Sequence, residues 1–490
     1  MSNSGLPLMR AHDLLINWPW GGTGPLYLQV AESILEAIRG GRIPPGHALP
    51  GIRELADRLG VHRNTIHAAL RELESQGCIT ARPRSGYFVE AETDRPAGAP
   101  GSALATSPGF DVPARLQPIS VTPGPVLDLT VGVADARLAP TEALARAYGR
   151  ALRLKGPELL GRPDFRGHRR LRTALAGHLA QQRALGVSPD QLMILRGSSM
   201  AVSLVAQALI GPRDGHVAVE TPGDPMVWET LRQACGATVH GVPVDDQGLD
   251  VEALETLLHT TPLNLLVVSP QCHYPTGVAL SEPRRARLLH LAQEYRFAIL
   301  ELDGEFDHLP GPGLPPRPLA SRDTTGQVLY AGSLSRILAP GLRVSFLSAP
   351  GSLTERLARA RQFLDHQGDM VQEWAISELI LDGDLHRQLR RVKKSVLERR
   401  AALLDALNHG MADRLQVGAG PGAMGLWVKG IGKLEDPTRF LTWIRACGMR
   451  GLKLRPGSHF ELGGQELACT RLGFSGLTPE ELQKAVSLMQ

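Results

Sequence analysis

Residues 49–89 determine the fold of the N-terminal region and read LPGIRELADRLGVHRNTIHAALRELESQGCITARPRSGYFV. Apolar residues at i, i+3, i+4 and i+7 predict a helix that contains Ile66, and a shorter apolar stripe predicts a helix around Leu55. Only Gly60 and Val61 separate these two helices, which is typical of the tight turn of a helix-turn-helix.

The sequence on either side of this motif completes a small winged domain. Upstream, apolar residues from Ala31 to Ile38 with helical spacing predict a first helix. Downstream, Gly77 ends the third helix, and CITARPRSGYFVE at 78–90 is typical of two short strands around a turn. We therefore expect a winged helix-turn-helix domain of α+β class over residues 20–90.

From Leu26 to Val89 the chain resembles the DNA-binding head of the GntR superfamily of transcription regulators. In that family, an Arg of the second helix, an Arg-Asn-Thr at the start of the third helix, and basic and Gly residues of the wing contact DNA. The resemblance implies DNA contacts for Arg53, Arg63, Asn64, Thr65, Arg82, Arg84 and Gly86. Relatives commonly carry Ser where this chain has Gly51 and Ile52, so a hydroxyl cap and a phosphate contact are missing there.

The start of the third helix is the best candidate for reading bases. The first residues of a recognition helix point at base edges, so Arg63 and Asn64 are expected to read sequence. In the wing, Arg82 and Arg84 have no acidic neighbour and supply positive charge for phosphates. The alternative is that Asn64 or its neighbour only caps the helix and the arginines are solvated, since residues 1–90 hold nine Arg against eight Asp plus Glu.

Length and composition predict a soluble protein with more than one domain. The 490 residues exceed the size at which one core stops growing, and the chain is 43% hydrophobic with a net charge of +4. Its five cysteines are scattered and form no Cys-x-x-Cys pair, so we expect neither disulfides nor a metal site, and a cytoplasmic location. No segment has the ~18 apolar residues that a membrane span needs, and no leader is expected.

Residues 91–125 predict a flexible linker between two folding units. The segment contains seven Pro and four Gly and has almost no apolar periodicity. A flexible chain of this length has an end-to-end distance of about 30–35 Å, and the prolines stiffen it further. The second folding unit is therefore expected over residues 126–490.

This second unit alternates strand and helix signals. MILRG at 193–197 and HVAVETPGD at 216–224 read as strands, and each precedes an amphipathic helix. The alternation predicts an α/β part with a largely parallel sheet over about 160–350, with ligands at the carboxyl ends of its strands. A helix-rich stretch with a few strands predicts a smaller α+β part over about 351–490.

The motifs of this unit, together with the DNA-binding head, resemble the MocR/PdxR subfamily of GntR regulators. RGSSMAVSLVAQAL at 196–209, CHYPTG at 272–277, GSLSRILAPGLR at 332–343 and TRLGFSGLTPEEL at 470–482 occur in the family's order. The resemblance implies an effector domain built like a fold-type I, class I/II aminotransferase, with a pyridoxal 5'-phosphate (PLP) type site. It also implies a homodimer whose partner is a double-stranded DNA operator.

The resemblance also assigns residues to the PLP-like site. The cofactor positions are Ser198, Ser199, Tyr274, Asp303, Ser333, Ser335, Arg336 and Arg343. The serines and Arg343 would donate to the phosphate, and Asp303 would pair with the pyridine nitrogen. Arg471 matches the arginine that binds a substrate carboxylate in aminotransferases.

Arg336 stands where the family has its Schiff-base lysine. A guanidinium stays protonated in proteins, so it cannot act as the nucleophile, and no covalent aldimine is expected. Asp224 stands where relatives place an aromatic residue. Three states remain open: no PLP, PLP or a preformed aldimine held noncovalently, or another small anionic effector held by Arg336, Arg343 and Arg471.

The sequence thus predicts a sequence-specific DNA-binding transcription regulator and not an enzyme. An effector would act by binding one arrangement of the DNA-binding heads better than another. The alternative from a different class is a PLP-dependent aminotransferase that carries a DNA-binding module, which Arg336 argues against. A third interpretation makes the large domain only a scaffold for dimerisation.

Overall fold

The computed structural model describes residues 25–83, 85–90, 127–161, 164–210, 215–305 and 317–490. The chain forms two compact units, Met1–Ser120 and Val121–Gln490. The predicted linker over residues 91–125 and the wing residue Arg84 lie outside the described residues. None of the described helices combines the length and the apolar character needed to cross a bilayer.

The first unit has the three helices and the two-stranded wing that the sequence predicts. Its elements are α1 (Leu26–Arg39), α2 (Ile52–Leu59), α3 (Arg63–Ser75), β1 (Ile79–Arg82) and β2 (Gly86–Val89). The two strands pair antiparallel, with Ile79 opposite Val89. Gly60 follows α2 with a φ of 64°, a left-handed conformation that ends the helix and lets α3 start after a tight turn.

One small hydrophobic core holds this unit together. Ile34, Leu55, Ile66 and Leu70 are each at most 1% exposed and belong to the same cluster. Each helix places its apolar stripe in this core, so the opposite face of each helix is left to solvent.

The second unit is built on an eight-stranded sheet. Its strands are β4 (Leu192–Leu195), β5 (His216–Thr221), β6 (Thr238–Asp245), β7 (Gly248–Leu249), β8 (Leu265–Val268), β9 (Ala298–Asp303), β10 (Val328–Ser333) and β11 (Ser345–Ser348). The spatial order is β4-β11-β10-β9-β8-β5-β6-β7. The central strands β10, β9, β8, β5 and β6 run parallel, whereas β11 and β7 are antiparallel to their neighbours. This confirms the predicted α/β class.

Helices cover both faces of the sheet. They are α4 (Thr141–Gly161), α5 (Arg169–Arg183), α6 (Ser198–Leu209), α7 (Pro225–Cys235), α8 (Val251–Leu258), α9 (Glu282–Tyr295), α10 (Gly351–Leu364) and α11 (Met370–Leu381). Alternate residues of a strand face opposite sides, so Leu300 packs with α6, α7 and α10 while Ile299 packs with α8 and α9. Helices α5 and α11 share a further core with Tyr330 of β10.

The remaining elements form a smaller α+β part. They are β3 (Leu127–Asp128), α12 (Asp384–Gly410), β12 (Leu415–Val417), β13 (Gly425–Gly430), α13 (Pro437–Met449), β14 (Leu452–Lys453), β15 (Cys469–Gly473) and α14 (Pro479–Ser487). Strands β12, β13 and β15 form an antiparallel sheet, and β3 pairs with β14. Helices α10 and α11 follow residue 350 but pack on the large sheet, so the change of core comes at α12.

Candidate functional site

The start of α3 presents polar side chains to solvent. His62 precedes the helix and caps it, because its Nδ1 accepts a hydrogen bond from the Asn64 backbone N–H at 3.2 Å. Arg63 and Asn64 are exposed and Thr65 is half-buried. The cap is therefore provided by His62, a residue that sequence analysis missed, and not by the side chain of Asn64 or Thr65.

Helix α2 and the wing add the other predicted DNA contacts. Arg53 is exposed on the first turn of α2. On the wing, the Arg82 guanidinium carbon of β1 lies 4.3 Å from the centre of the Phe88 ring of β2, an arrangement that holds the cation against the neighbouring strand. Gly86 has a φ of 93°, which permits the tight turn at the tip.

His67 and Arg71 extend the exposed face of α3. They follow Arg63 at i+4 and i+8, a spacing that places side chains on one face of a helix, and both are exposed. Neither residue is among the contacts predicted from the sequence, although their spacing is visible in the helix pattern.

In the second unit, a cavity lies at the carboxyl ends of β5, β8, β9 and β10. Open α/β sheets bind their ligands at this edge. The cavity wall includes five of the predicted site residues, Ser198, Tyr274, Asp303, Ser333 and Arg336. The other four, Ser199, Ser335, Arg343 and Arg471, lie outside this wall.

Two of these four residues hold the backbone around the cavity. The Ser335 hydroxyl donates to the Val344 carbonyl at 3.1 Å and accepts from the Val344 N–H at 2.6 Å. The Arg343 guanidinium donates to the Arg196 carbonyl at 3.1 Å. A Cβ on Gly197 would lie only 2.3 Å from Arg343 Nη2, so the close approach of this guanidinium requires glycine at the start of α6.

The Asp303 carboxylate points toward α5. Its Oδ2 lies 3.2 Å from Arg183 Nε and accepts a hydrogen bond from the Tyr330 hydroxyl. By contrast, Leu300 and Leu302 of the same strand pack against the core on the α6 face. The pairing of Asp303 with a pyridine nitrogen stays a prediction, and this carboxylate already has a cationic partner.

Glu305 joins two of the predicted arginines and was missed by sequence analysis. Its Oε1 accepts from Arg471 Nη2 at 2.9 Å and from Arg336 Nη1 at 3.2 Å. Its Oε2 accepts from the Met424 N–H at 3.2 Å. The Arg471 guanidinium also lies over the Tyr274 ring, 4.7 Å from its centre. The only sequence signal was an acidic residue just beyond a buried strand.

The cavity wall also contains buried acids. Burial raises the pKa of Glu220 to about 8. Burial also raises the pKa of Asp224, against the opposite effect of Arg336 and Arg471, and this side chain caps α7. Next to Glu220, burial lowers the pKa of His273 to about 3, so its imidazole is neutral. Among the described residues, no three His, Cys, Asp or Glu side chains form a group suited to a metal ion.

Both units match known protein families. Residues 26–89 match the bacterial regulatory proteins of the gntR family. Residues 125–488 match the aminotransferase class I and II family.

Several regulators are similar to this chain over most of its length. The transcriptional regulator TauR of Rhodobacter capsulatus is 29% identical, over 95% of this chain and 96% of its own. The probable rhizopine catabolism regulatory protein MocR of Rhizobium meliloti is 26% identical, over 95% of this chain and 93% of its own. The pyridoxine biosynthesis regulator PdxR of Corynebacterium glutamicum is 28% identical, over 77% and 78%.

Among solved structures, the second unit is similar to aminotransferases. LysN, an α-aminoadipate aminotransferase of Thermus thermophilus, has a TM-score of 0.68 and 27% identity, over 74% of this chain and 91% of its own. A kynurenine aminotransferase of Pyrococcus horikoshii has the same TM-score with 23% identity, over 74% and 90%, and shows the fold alone. The chain belongs to the MocR/PdxR subfamily of GntR regulators, which are DNA-binding transcription regulators with a class I and II aminotransferase domain.

Proposed function

We propose that this regulator reads an operator with α3 and its wing, and senses a small anionic molecule in the second unit without catalysing transamination. The observation that carries the proposal is the ion pair between Arg336 and Glu305 in the cavity wall. We assign Arg336 to the position of the family's Schiff-base lysine from the resemblance of its motif. A protonated guanidinium has no lone pair to attack a carbonyl carbon, so this position cannot supply the nucleophile of a PLP enzyme.

DNA binding is assigned to the exposed surface of the first unit. Its proposed contacts are Arg53, Arg63, Asn64, Thr65, Arg82, Arg84 and Gly86. Arg63 and Asn64 would read base edges because they start the recognition helix, and the wing arginines would contact phosphates. A change at Arg63 is therefore expected to alter selectivity, and a change at Arg82 to lower the affinity for all sequences.

The cavity suits the phosphate end of PLP and does not suit a covalently held cofactor. Helix α6 begins at Ser198 and offers the backbone N–H groups of a helix start and a hydroxyl to an anion, with Ser333 in the same wall. At the reactive end, Arg336 replaces the amine, and Asp303 is already paired with Arg183. PLP would therefore be held only noncovalently, and another small anion could take the same place.

We infer the organisation of the regulator from its resemblance to the family. We place the DNA-binding domain at residues 20–90, the linker at 91–125 and the effector and dimerisation domain at 126–490. Two copies would pair through their aminotransferase-like domains, and each head would bind one operator half-site. A regulator that reads operators works in the cytoplasm, where bacterial DNA is found.

The absence of covalent chemistry is tested by adding PLP and recording the absorbance spectrum before and after borohydride reduction. We expect no lysine adduct in the wild type or in Arg336→Met, which removes the cation without supplying an amine. Arg336→Lys should gain the adduct, because the donors for the phosphate are retained. A reduced PLP–lysine adduct in the wild type, located by mass spectrometry, would contradict the proposal.

A further inference from the structure

Glu305 connects the large and small parts of the second unit. It lies just beyond β9 of the large sheet, but two of its hydrogen bonds come from the small part, from Arg471 on β15 and from the Met424 N–H. Two others come from Arg336, just beyond β10, and from the Cys272 thiol, which lies 3.7 Å from Oε2. The side chains of Glu305 and Arg471 are 8% and 3% exposed, so this connection is buried.

Arg471 has more donors than Glu305 satisfies. Arg336 and Arg471 share the single oxygen Oε1. Within the described residues, Arg471 Nη1 is buried and has no hydrogen-bond partner. A buried donor on a charged group is costly to leave unpaired, and a guanidinium fork suits the two oxygens of a carboxylate. This donor therefore points to a ligand oxygen that Glu305 does not supply.

The surroundings of Arg471 are built to hold its guanidinium closely. A Cβ on Gly132 would lie 2.5 Å from Nη1, and a Cβ on Gly425 would lie 2.5 Å from Cζ. Tyr274, which lines the cavity, stacks on the same guanidinium. Glycine at two positions and an aromatic ring at a third thus fix the cation next to the cavity.

Several arginines act on the carboxyl groups near Glu305. Arg336, Arg471 and Arg455 all act electrostatically on Asp224, another carboxyl group of the cavity wall. Burial favours the uncharged form of Asp224, so its carboxyl group offsets the positive charge of these arginines less than an ionised carboxylate would.

We propose that Glu305 is an internal occupant of a carboxylate subsite formed by Arg471 and Arg336, and that a small carboxylate effector binds by displacing it. This proposal rests on the proposed function, because it takes the cavity as the effector site. Competition from Glu305 lowers the apparent affinity for the effector. Displacement also removes the contacts of Glu305 with the small part, so binding favours a different arrangement of the two parts.

Chemical rescue with acetate tests this assignment on the full chain. Glu305→Ala removes the carboxylate and leaves space for a small one, so acetate should stabilise this variant in a saturable way. Sodium chloride at equal ionic strength and the neutral analogue acetamide are the controls. We expect the acetate dissociation constant, measured from thermal unfolding, to be at least about tenfold lower in Glu305→Ala than in the wild type.

The double variant Glu305→Ala/Arg471→Ala identifies the subsite. It should lose the acetate response, because the guanidinium that binds the carboxylate is gone. An equal acetate response in the wild type and Glu305→Ala, or a response that persists in the double variant, would overturn the proposal.

If Glu305→Ala does not fold, Glu305→Gln serves in its place. It keeps an oxygen for the Met424 N–H and competes less for the arginines, so its acetate affinity should also exceed that of the wild type; an unchanged affinity would again overturn the proposal. No DNA is present in these assays, so their failure is distinguishable from a failure of operator binding.

Discussion

Arginine has opposite roles in the two units. Arg63 at the start of α3 is exposed, and none of its contacts within the described residues is an ion pair. In the second unit, Arg183 and Arg471 are buried, and each is paired with a carboxylate, Asp303 or Glu305. Arg63 therefore remains available to a large anionic partner, whereas carboxylates inside the second unit hold Arg183 and Arg471. Environment, and not residue type, thus decides which cations can bind a ligand.

The largest expected effect is a difference in stability between two variants, each with one Arg replaced by Met, one in each unit. Arg183→Met removes a cation that is paired with the buried Asp303 carboxylate, so the second unit should lose about 3–5 kcal/mol of unfolding free energy. Arg63→Met changes an exposed side chain and should stay within about 0.5 kcal/mol of the wild type. Denaturant unfolding measures both. Equal losses would contradict the contrast between the units.

The buried acid of the cavity gives a pH-dependent effect. The carboxyl of Glu220 has a pKa of about 8 in the folded chain, against an ordinary value of 4.5. Between pH 4.5 and about pH 8, the folded state therefore retains a proton that the unfolded chain releases. The free energy of unfolding therefore falls as pH rises through this window, by at most about 1.4 kcal/mol per pH unit. Glu220→Gln removes this dependence and can still accept from the Ser269 N–H.

The measurement compares the free energy of unfolding of the wild type and Glu220→Gln at pH 5 and pH 8. Both pH values lie between the ordinary pKa of the carboxyl and its raised pKa in the folded chain. The stability of the variant relative to the wild type should increase with pH. Parallel pH profiles for the two proteins would show that Glu220 is ionised in the folded state.

The parts that sequence predicted best are those set by local pattern. The three helices, the wing and the α/β alternation follow from apolar spacing and from glycines such as Gly60. The pairing of Glu305 with Arg471 joins residues 166 positions apart, and no local pattern encodes such a contact. The orientation of Asp303 toward Arg183 likewise depends on which face of β9 Asp303 occupies and on which helix packs against that face.

The boundary between the large and small parts shows the same limit. A helix-rich sequence after residue 350 reads as a new part, but α10 and α11 return to the large sheet. The apolar residues of these two helices predict that they are packed. Only the tertiary contacts show which surface they pack against.

Operator selectivity tests the central claim most directly. The ratio of affinities for a duplex selected from genomic fragments and for random duplex should be measured at one fixed salt concentration for the wild type, Arg63→Ala and Arg356→Ala. Arg356 is exposed in the second unit, so Arg356→Ala removes one positive charge, as Arg63→Ala does. We expect Arg63→Ala to lose about 1–3 kcal/mol of discrimination and Arg356→Ala to lose none. A wild type that prefers no duplex, or an Arg63→Ala variant with unchanged selectivity, would contradict this account.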